Sequence, residues 1–202
     1  LLESLKMAIF NHMAMLHGMT GTSAKMRPLA ESLAPSGWRV VCPEGTYAHP
    51  RGGRAWWVRD ESAEQVAPSG QILMSMKSLE KKLPEGQLII GGFSQGGAIA
   101  SAMLETSIEE RIIGLVLLAT MSVRVDHLRK ILKTIRPRSA VWMHGERDHI
   151  VNIEDGLKLA SIFEDAGWEL TRLHHGKGHM VDMSQKDLLV DAIRKMSEDD
   201  QR

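Results

Sequence analysis

A serine stands where a tight bend would expose it. Gly92-Phe93-Ser94-Gln95-Gly96 directly follows the apolar run Leu88-Ile89-Ile90-Gly91. A strand that ends in Gly-x-Ser-x-Gly and turns into a helix presents the serine oxygen at the strand's C-terminal end, beside a helix N-terminus. The two glycines remove side chains where the strand and helix backbones come closest. The residues that follow, Gly97-Ala98-Ile99-Ala100-Ser101-Ala102-Met103-Leu104, are small or apolar, as a helix lying close on a sheet requires. The pentapeptide alone also fits an ordinary turn. Its place between an apolar strand and a small-residue helix makes Ser94 a candidate nucleophile.

A serine hydroxyl needs a general base beside it, and the base needs a partner that fixes its tautomer and stabilises its charged form. Behind such an elbow the partners come in the chain order Ser, then Asp or Glu, then His. Here the candidates are Asp148, in His144-Gly145-Glu146-Arg147-Asp148, and His179, in Gly176-Lys177-Gly178-His179-Met180. The expectation is Ser94 as nucleophile, His179 as general acid and base, and Asp148 as the orienting carboxylate. Asp148 could instead cap a helix or pair in a loop, but Asn152 is the better placed cap, with Glu154 and Asp155 suiting the helix dipole behind it. His174, His175 and His149 compete with His179. A zinc cluster of His174, His175 and His179 lacks a cysteine or matching carboxylate, and His174 falls within a strand, so no metal and no cofactor is expected. His12, His49 and His127 read as surface or packing residues. The oxyanion of a tetrahedral intermediate would be held by fixed backbone N–H groups. Those of Gln95 and of Met19, in Leu16-His17-Gly18-Met19, are expected to serve, a plain glycine turn being the alternative at Met19. His17 and His144 each precede a glycine at a strand end and read as structural hydrogen-bonding residues.

These side chains need a scaffold that brings them to one edge. Predicted strands are 13–16, 38–42, 87–91, 113–119, 140–144 and 169–174. Predicted helices are 23–33, 71–82, 96–105, 125–134, 153–166 and 181–197. Leu88-Ile89-Ile90 and Val116-Leu117-Leu118 are apolar without alternation, as in strands covered on both faces. Strands alternating with helices imply an α/β fold with a mostly parallel central sheet flanked by helices on both faces. In such a sheet the loops after the strands share one edge, and His17, Ser94, Asp148 and His179 all follow strands. The stretch from Pro43 to Pro68 breaks the rhythm. It is long and polar, yet holds Trp56-Trp57, so it reads as an excursion that packs over the site. Met13, Met15 and Met19 with Trp56 and Trp57 suit an apolar, adaptable acyl pocket, although Met is equally at home in a core.

The chain of 202 residues fits a single domain, 1–202. Its 25 Lys plus Arg balance 25 Asp plus Glu, so nothing calls for nucleic acid as a partner. The lone Cys42 excludes an internal disulfide framework and fits a reducing compartment, so a cytoplasmic location is expected. No stretch has the ~18–20 consecutive apolar residues of a membrane span, and no secretory signal is evident. The chain starts at Leu1 and not at Met, which leaves room for residues upstream. The polar end, residues 197–202, is expected to fray.

Taken together, Leu16-His17-Gly18, Arg54-Ala55-Trp56-Trp57, Gly91-Gly92-Phe93-Ser94-Gln95-Gly96-Gly97, His144-Gly145-Glu146-Arg147-Asp148 and Gly176-Lys177-Gly178-His179-Met180 resemble the alpha/beta-hydrolase superfamily. They resemble in particular its phospholipase/carboxylesterase branch, which includes the acyl-protein thioesterases. The resemblance implies the α/β-hydrolase fold and hydrolysis of carboxylic esters through an acyl-serine, without metal or organic cofactor. It implies a small-molecule ester or thioester substrate, an acyl site lined by the Trp56 loop, and leaves a homodimer open. Acyl-protein thioesterase and lysophospholipase are the alternatives within the class. A hydrolase-fold binding protein without catalysis is the alternative outside it. The chain departs from the branch at Asn152, where proline is frequent, and at Met19-Thr20-Gly21-Thr22.

Overall fold

The computed structural model describes residues 10–58 and 67–199. Residues 1–9, 59–66 and 200–202, which include part of the long polar excursion and of the polar end, lie outside the described residues.

Six strands form one sheet. In chain order they are β1 (His12–Leu16), β2 (Arg39–Val41), β5 (Leu88–Phe93), β6 (Ile112–Leu118), β7 (Ser139–Gly145) and β8 (Glu169–His175). Their spatial order is β2-β1-β5-β6-β7-β8, and every pairing is parallel. Each predicted strand is present within a residue or two of its expected bounds. The central strands β1, β5 and β6 are buried almost throughout, whereas the edge strand β8 alternates exposed and buried positions towards its end. That difference follows from which strands are covered on both faces.

The period-2 pleat sends alternate side chains to two cores. Ala14, Leu16, Leu88, Ile90, Leu115, Leu117 and Trp142 pack on one face, while Met13, Met15, Ile89, Val116, Leu118, Val141 and Met143 pack on the other. The first face is covered by α2 (Ser69–Lys82), α3 (Gln95–Ala102), α4 (Val125–Leu132) and α5 (Ile153–Asp165). The second is covered by α1 (Ser23–Leu33) and α6 (Lys186–Asp199). Every residue of α3 is buried, which its Gly and Ala content permits.

The differences from expectation are local. The predicted helix 96–105 tightens into a 3₁₀ turn at Met103–Glu105. The last helix starts at Lys186 and not at Val181, because the Asp182 side chain accepts from the Ser184 amide and opens a 3₁₀ turn over Met183–Gln185 first. The excursion after β2 contains a small hairpin that the sequence did not signal, β3 (Tyr47–Ala48) paired antiparallel with β4 (Arg54–Ala55).

Since all six strands are parallel, their C-terminal ends lie on one edge. The chain leaves β1 for β2 on one side, and β5 flanks β1 on the other. The switch point of the sheet, where ligands enter parallel α/β folds, therefore falls between the ends of β1 and β5.

Candidate active site

Ser94 sits at that switch point in a conformation that L-residues avoid, with φ 53° and ψ −119°. The surrounding chain leaves it no alternative. A Cβ on Gly92 would lie 2.5 Å from the Gly96 carbonyl carbon and 2.6 Å from the Leu16 oxygen; one on Gly96 would lie 2.1 Å from the same oxygen. Strand, helix and the end of β1 thus meet as bare backbone. The Ser94 amide donates to Leu118 O at 2.9 Å, and the buried Thr120 hydroxyl donates to Ser94 O at 2.7 Å. Strain at a bend held from both sides is a common mark of functional positions.

Asp148 follows β7 and is buried. Its Oδ1 accepts from the amides of Ile150 at 2.8 Å and Val151 at 2.9 Å, and its Oδ2 accepts from His179 Nδ1 at 2.7 Å. Burial alone would raise this carboxyl. The hydrogen bonds from His179, Val151 and Ile150 outweigh burial and hold it below the usual aspartate range. Asn152 does occupy the N-cap position of α5, but its side chain makes no capping bond; the Asp148 carboxylate organises the turn ahead of it instead.

With Nδ1–H given to Asp148, the neutral His179 ring keeps Nε2 unprotonated and able to accept. The ring lies against Phe93, the residue before Ser94, with centroids 4.8 Å apart. Among the described residues no hydrogen bond joins Ser94 Oγ to His179 Nε2. The contact with Phe93 places the imidazole over the end of β5, and such links often close only around substrate.

The other histidines separate by environment. His144 Nε2 donates to Val151 O at 2.9 Å and lies 3.4 Å from Asp148 Oδ2, while its ring stacks on Trp142. Burial pushes it below the usual histidine range, which keeps it a neutral prop under the Asp148 turn. His17 is likewise lowered by burial. Its Nε2 accepts from the Gly45 amide at 2.9 Å, so Nδ1 carries the proton given to Gly18 O at 2.8 Å. His174 is exposed and His175 buried, on opposite faces of β8. Among the described residues no three His, Cys, Asp or Glu side chains are grouped to hold a metal ion.

Gln95 and Met19 both lie beside Ser94. Gln95 opens α3, where an N–H has no partner within the helix. Met19 lies in a turn closed by Gly21 N to Gly18 O at 2.9 Å, and its own N–H makes no backbone hydrogen bond among the described residues. Both residues line the same cavity as Ser94, of ≈ 710 Å³. The rest of its wall is mostly apolar, including Trp57, Val58, Met121, Val123, Ile150 and Val151.

The excursion after β2 does reach the site, in a different way from that expected. Trp57 lines the cavity, but Trp56 does not; it is fully buried beneath, donating from Nε1 to His17 O at 2.8 Å. The Gln95 side chain fastens this segment to the elbow, accepting from Trp56 N at 3.1 Å and donating to Trp57 O at 3.0 Å. His49, read as a surface or packing residue, lines the cavity with Arg51 from the tip of the hairpin. Nothing local in the sequence marks them, because their position depends on the hairpin docking against Thr20-Gly21. Apolar residues in the loops after β6 and β7, Met121, Val123, Ile150 and Val151, were a usable signal for the rest of the wall.

Residues 11–162 match the alpha/beta hydrolase fold family. Acyl-protein thioesterase 1 of Debaryomyces hansenii is 27% identical over 121 residues, covering 56% of this chain and 52% of that protein. Acyl-protein thioesterase 1 of Gibberella zeae is 25% identical over 143 residues, covering 68% and 61%. The chain thus spans about half to three-fifths of the length of these relatives. Among solved structures, acyl-protein thioesterase 2 of Zea mays superposes with a TM-score of 0.73 at 19% identity over 95% of both chains. The carboxylesterase of Bacillus cereus gives 0.73 at 21% identity over 93% of this chain and 89% of its own. The match over most of the chain, with a parallel sheet whose strained Ser94 turn stands at its switch point, shows that this protein belongs to the alpha/beta hydrolase fold family.

Proposed function

We propose that this protein, acting as one domain, hydrolyses a small-molecule carboxylic ester or thioester through an acyl-enzyme on Ser94. The observation that carries this reading is the Asp148–His179 hydrogen bond, set at the strand edge where the strained Ser94 forms part of an apolar cavity. Ser94 Oγ attacks the acyl carbonyl while His179 Nε2 takes its proton. Charge developing on the carbonyl oxygen is met by the amides of Met19 and Gln95, which need no rearrangement to do so. The imidazolium then protonates the departing alcohol or thiol, and Asp148 stabilises the cation throughout. Water, deprotonated by the same His179, attacks the acyl-serine, and collapse returns the proton to Ser94.

The cavity supports an acyl chain of appreciable length, with Trp57 rather than Trp56 against it. Similarity to acyl-protein thioesterases favours a thioester or long-chain ester over a peptide. Among the described residues no helix is long and apolar enough to cross a membrane. Cys42 is buried and unpaired, in keeping with a reducing compartment. The test is a series of p-nitrophenyl esters of rising acyl length, with an acyl thioester beside them, using wild type and Ser94→Ala. Turnover that Ser94→Ala abolishes is expected; substantial hydrolysis by the variant would refute the assignment, and no hydrolysis by the wild type would favour a non-catalytic binding protein.

A further inference from the structure

The cavity that holds Ser94 has one feature that plain ester hydrolysis does not use. Arg51 is the only charged side chain among its described lining residues. Several other arginines are engaged: Arg124 grips Glu105 with bonds of 2.7–3.0 Å, Arg172 holds Glu164, and Arg138 holds Glu109. On the same hairpin Arg54 gives its guanidinium to the carbonyls of Gly45 and Thr46. The Arg51 guanidinium, exposed at the cavity mouth, has no hydrogen bond or ion pair among the described residues.

Its position is set by backbone. The hairpin tip closes through His49 N to Gly53 O at 3.1 Å and Gly52 N to His49 O at 2.9 Å. Gly53 has φ +70°, and a Cβ there would lie 2.2 Å from Thr20 O, so the tip sits hard against the loop that follows β1. Arg54 N donates to Gly21 O at 2.9 Å and completes the dock. Beside Arg51, His49 Nδ1 accepts from the Arg51 amide at 3.1 Å. The neutral His49 ring therefore carries its proton on Nε2, a second donor on the same wall. The mostly apolar remainder of the cavity lowers the local dielectric and strengthens any charge pairing made at its mouth.

We propose that Arg51 and His49 form an anion subsite in the Ser94 cavity, which selects esters or thioesters carrying a negative charge remote from the reacting carbonyl. The inference rests on the hydrolytic reading above and names the substrate class within it. The charge can sit on the acyl chain, as in a half-ester of a dicarboxylic acid, or on the leaving group. The recognising chemistry is the same: a planar guanidinium fork and an imidazole N–H facing an oxyanion.

The experiment compares kcat/KM for three chromogenic esters in wild type, Arg51→Gln and Arg51→Lys. p-Nitrophenyl butyrate is the neutral baseline. p-Nitrophenyl hydrogen glutarate carries its charge on the acyl side. The butyrate ester of 5-hydroxy-2-nitrobenzoate carries it on the leaving group. Arg51→Gln is expected to lower the ratio of anionic to neutral kcat/KM about three- to tenfold in one arm, the size of a partly exposed charge pair. Arg51→Lys should keep most of that ratio, and added salt should erode it in the wild type. The arm that responds tells which end of the substrate bears the charge. Turnover of the neutral ester with neither ratio moved by Arg51→Gln overturns the subsite alone. Turnover of an anionic ester without the neutral one, lost in Arg51→Gln, supports the subsite, whereas no turnover of any of the three esters by the wild type overturns the hydrolytic reading and the subsite with it.

Discussion

Two stretches of chain each bring one side chain of the proposed mechanism to the edge of the sheet, and they do so by opposite means. The elbow around Ser94 is made by sterics. Gly92 and Gly96 let three backbones touch, and its other fastenings are neutral hydrogen bonds from Ser94 N and Thr120 Oγ1. The loop that carries His179 is made by charge. Lys177 Nζ meets Asp182 Oδ1 at 2.6 Å, Arg147 donates to Gly176 O, and Asp148 takes the imidazole itself. A bend fixed by excluded volume is indifferent to pH and intolerant of a single methyl group. A loop fixed by ion pairs tolerates changes of shape but loosens when its carboxylates take up protons.

The comparison can be broken at its strongest point by Asp148→Asn. That change keeps the shape of the His179 loop but frees the imidazole from its tautomer, and esterase kcat is expected to fall by about 10⁴ with little change in far-UV circular dichroism. A loss under tenfold would show that His179 needs no carboxylate. Gly96→Ala attacks the steric side. Its Cβ would meet Leu16 O at 2.1 Å, backbone that cannot swing away. A destabilisation of about 3 kcal/mol, seen as a fall in Tm of roughly 6–12 °C, is expected and should not vary between pH 5 and pH 8. Thr120→Val removes one neutral bond from the elbow, while Ala98 N still donates to Ser94 O. Its expected cost is about 1 kcal/mol by denaturant titration, and Thr120→Ser should restore most of it.

The smallest effect sharpens the charge side of the comparison. Hydrogen bonds from Lys177 and Ser184 draw the Asp182 carboxyl down to about 2. A carboxyl lowered on folding contributes stability above its unfolded value of about 3.9, and that contribution disappears as pH falls through the folded value. The Tm difference between wild type and Asp182→Asn should therefore be constant above about pH 5, shrink below pH 4 and vanish near pH 2. A difference independent of pH would mean that Asp182 acts by packing alone. Asp148, also lowered, carries the same sign.

The same contrast explains what could be read from the sequence. All six strands of the sheet and the elbow are local or strongly periodic, and central apolar runs such as Ile112–Leu118 have no other reading once helices alternate with them. The chain order Ser94, Asp148, His179 needed only the parallel sheet to put its members on one edge. What escaped was held by side-chain hydrogen bonds and backbone docking that leave no periodic trace, most of them between residues far apart in sequence. The start of α6 moved because Asp182 caps a 3₁₀ turn ahead of it. The roles of Trp56 and Trp57 depended on the Gln95 side chain, which turns one indole down to His17 and leaves the other in the cavity wall. His49 and Arg51 reach the cavity only because Gly53 docks on Thr20, a contact between residues far apart in sequence.

The most direct test of the account is labelling with a serine-directed fluorophosphonate, followed by peptide mapping, in wild type and His179→Ala. A single adduct on Ser94 is expected, formed in the wild type and all but lost in His179→Ala. Labelling elsewhere than Ser94, or an undiminished rate without the imidazole, would contradict the claim that His179 activates this serine.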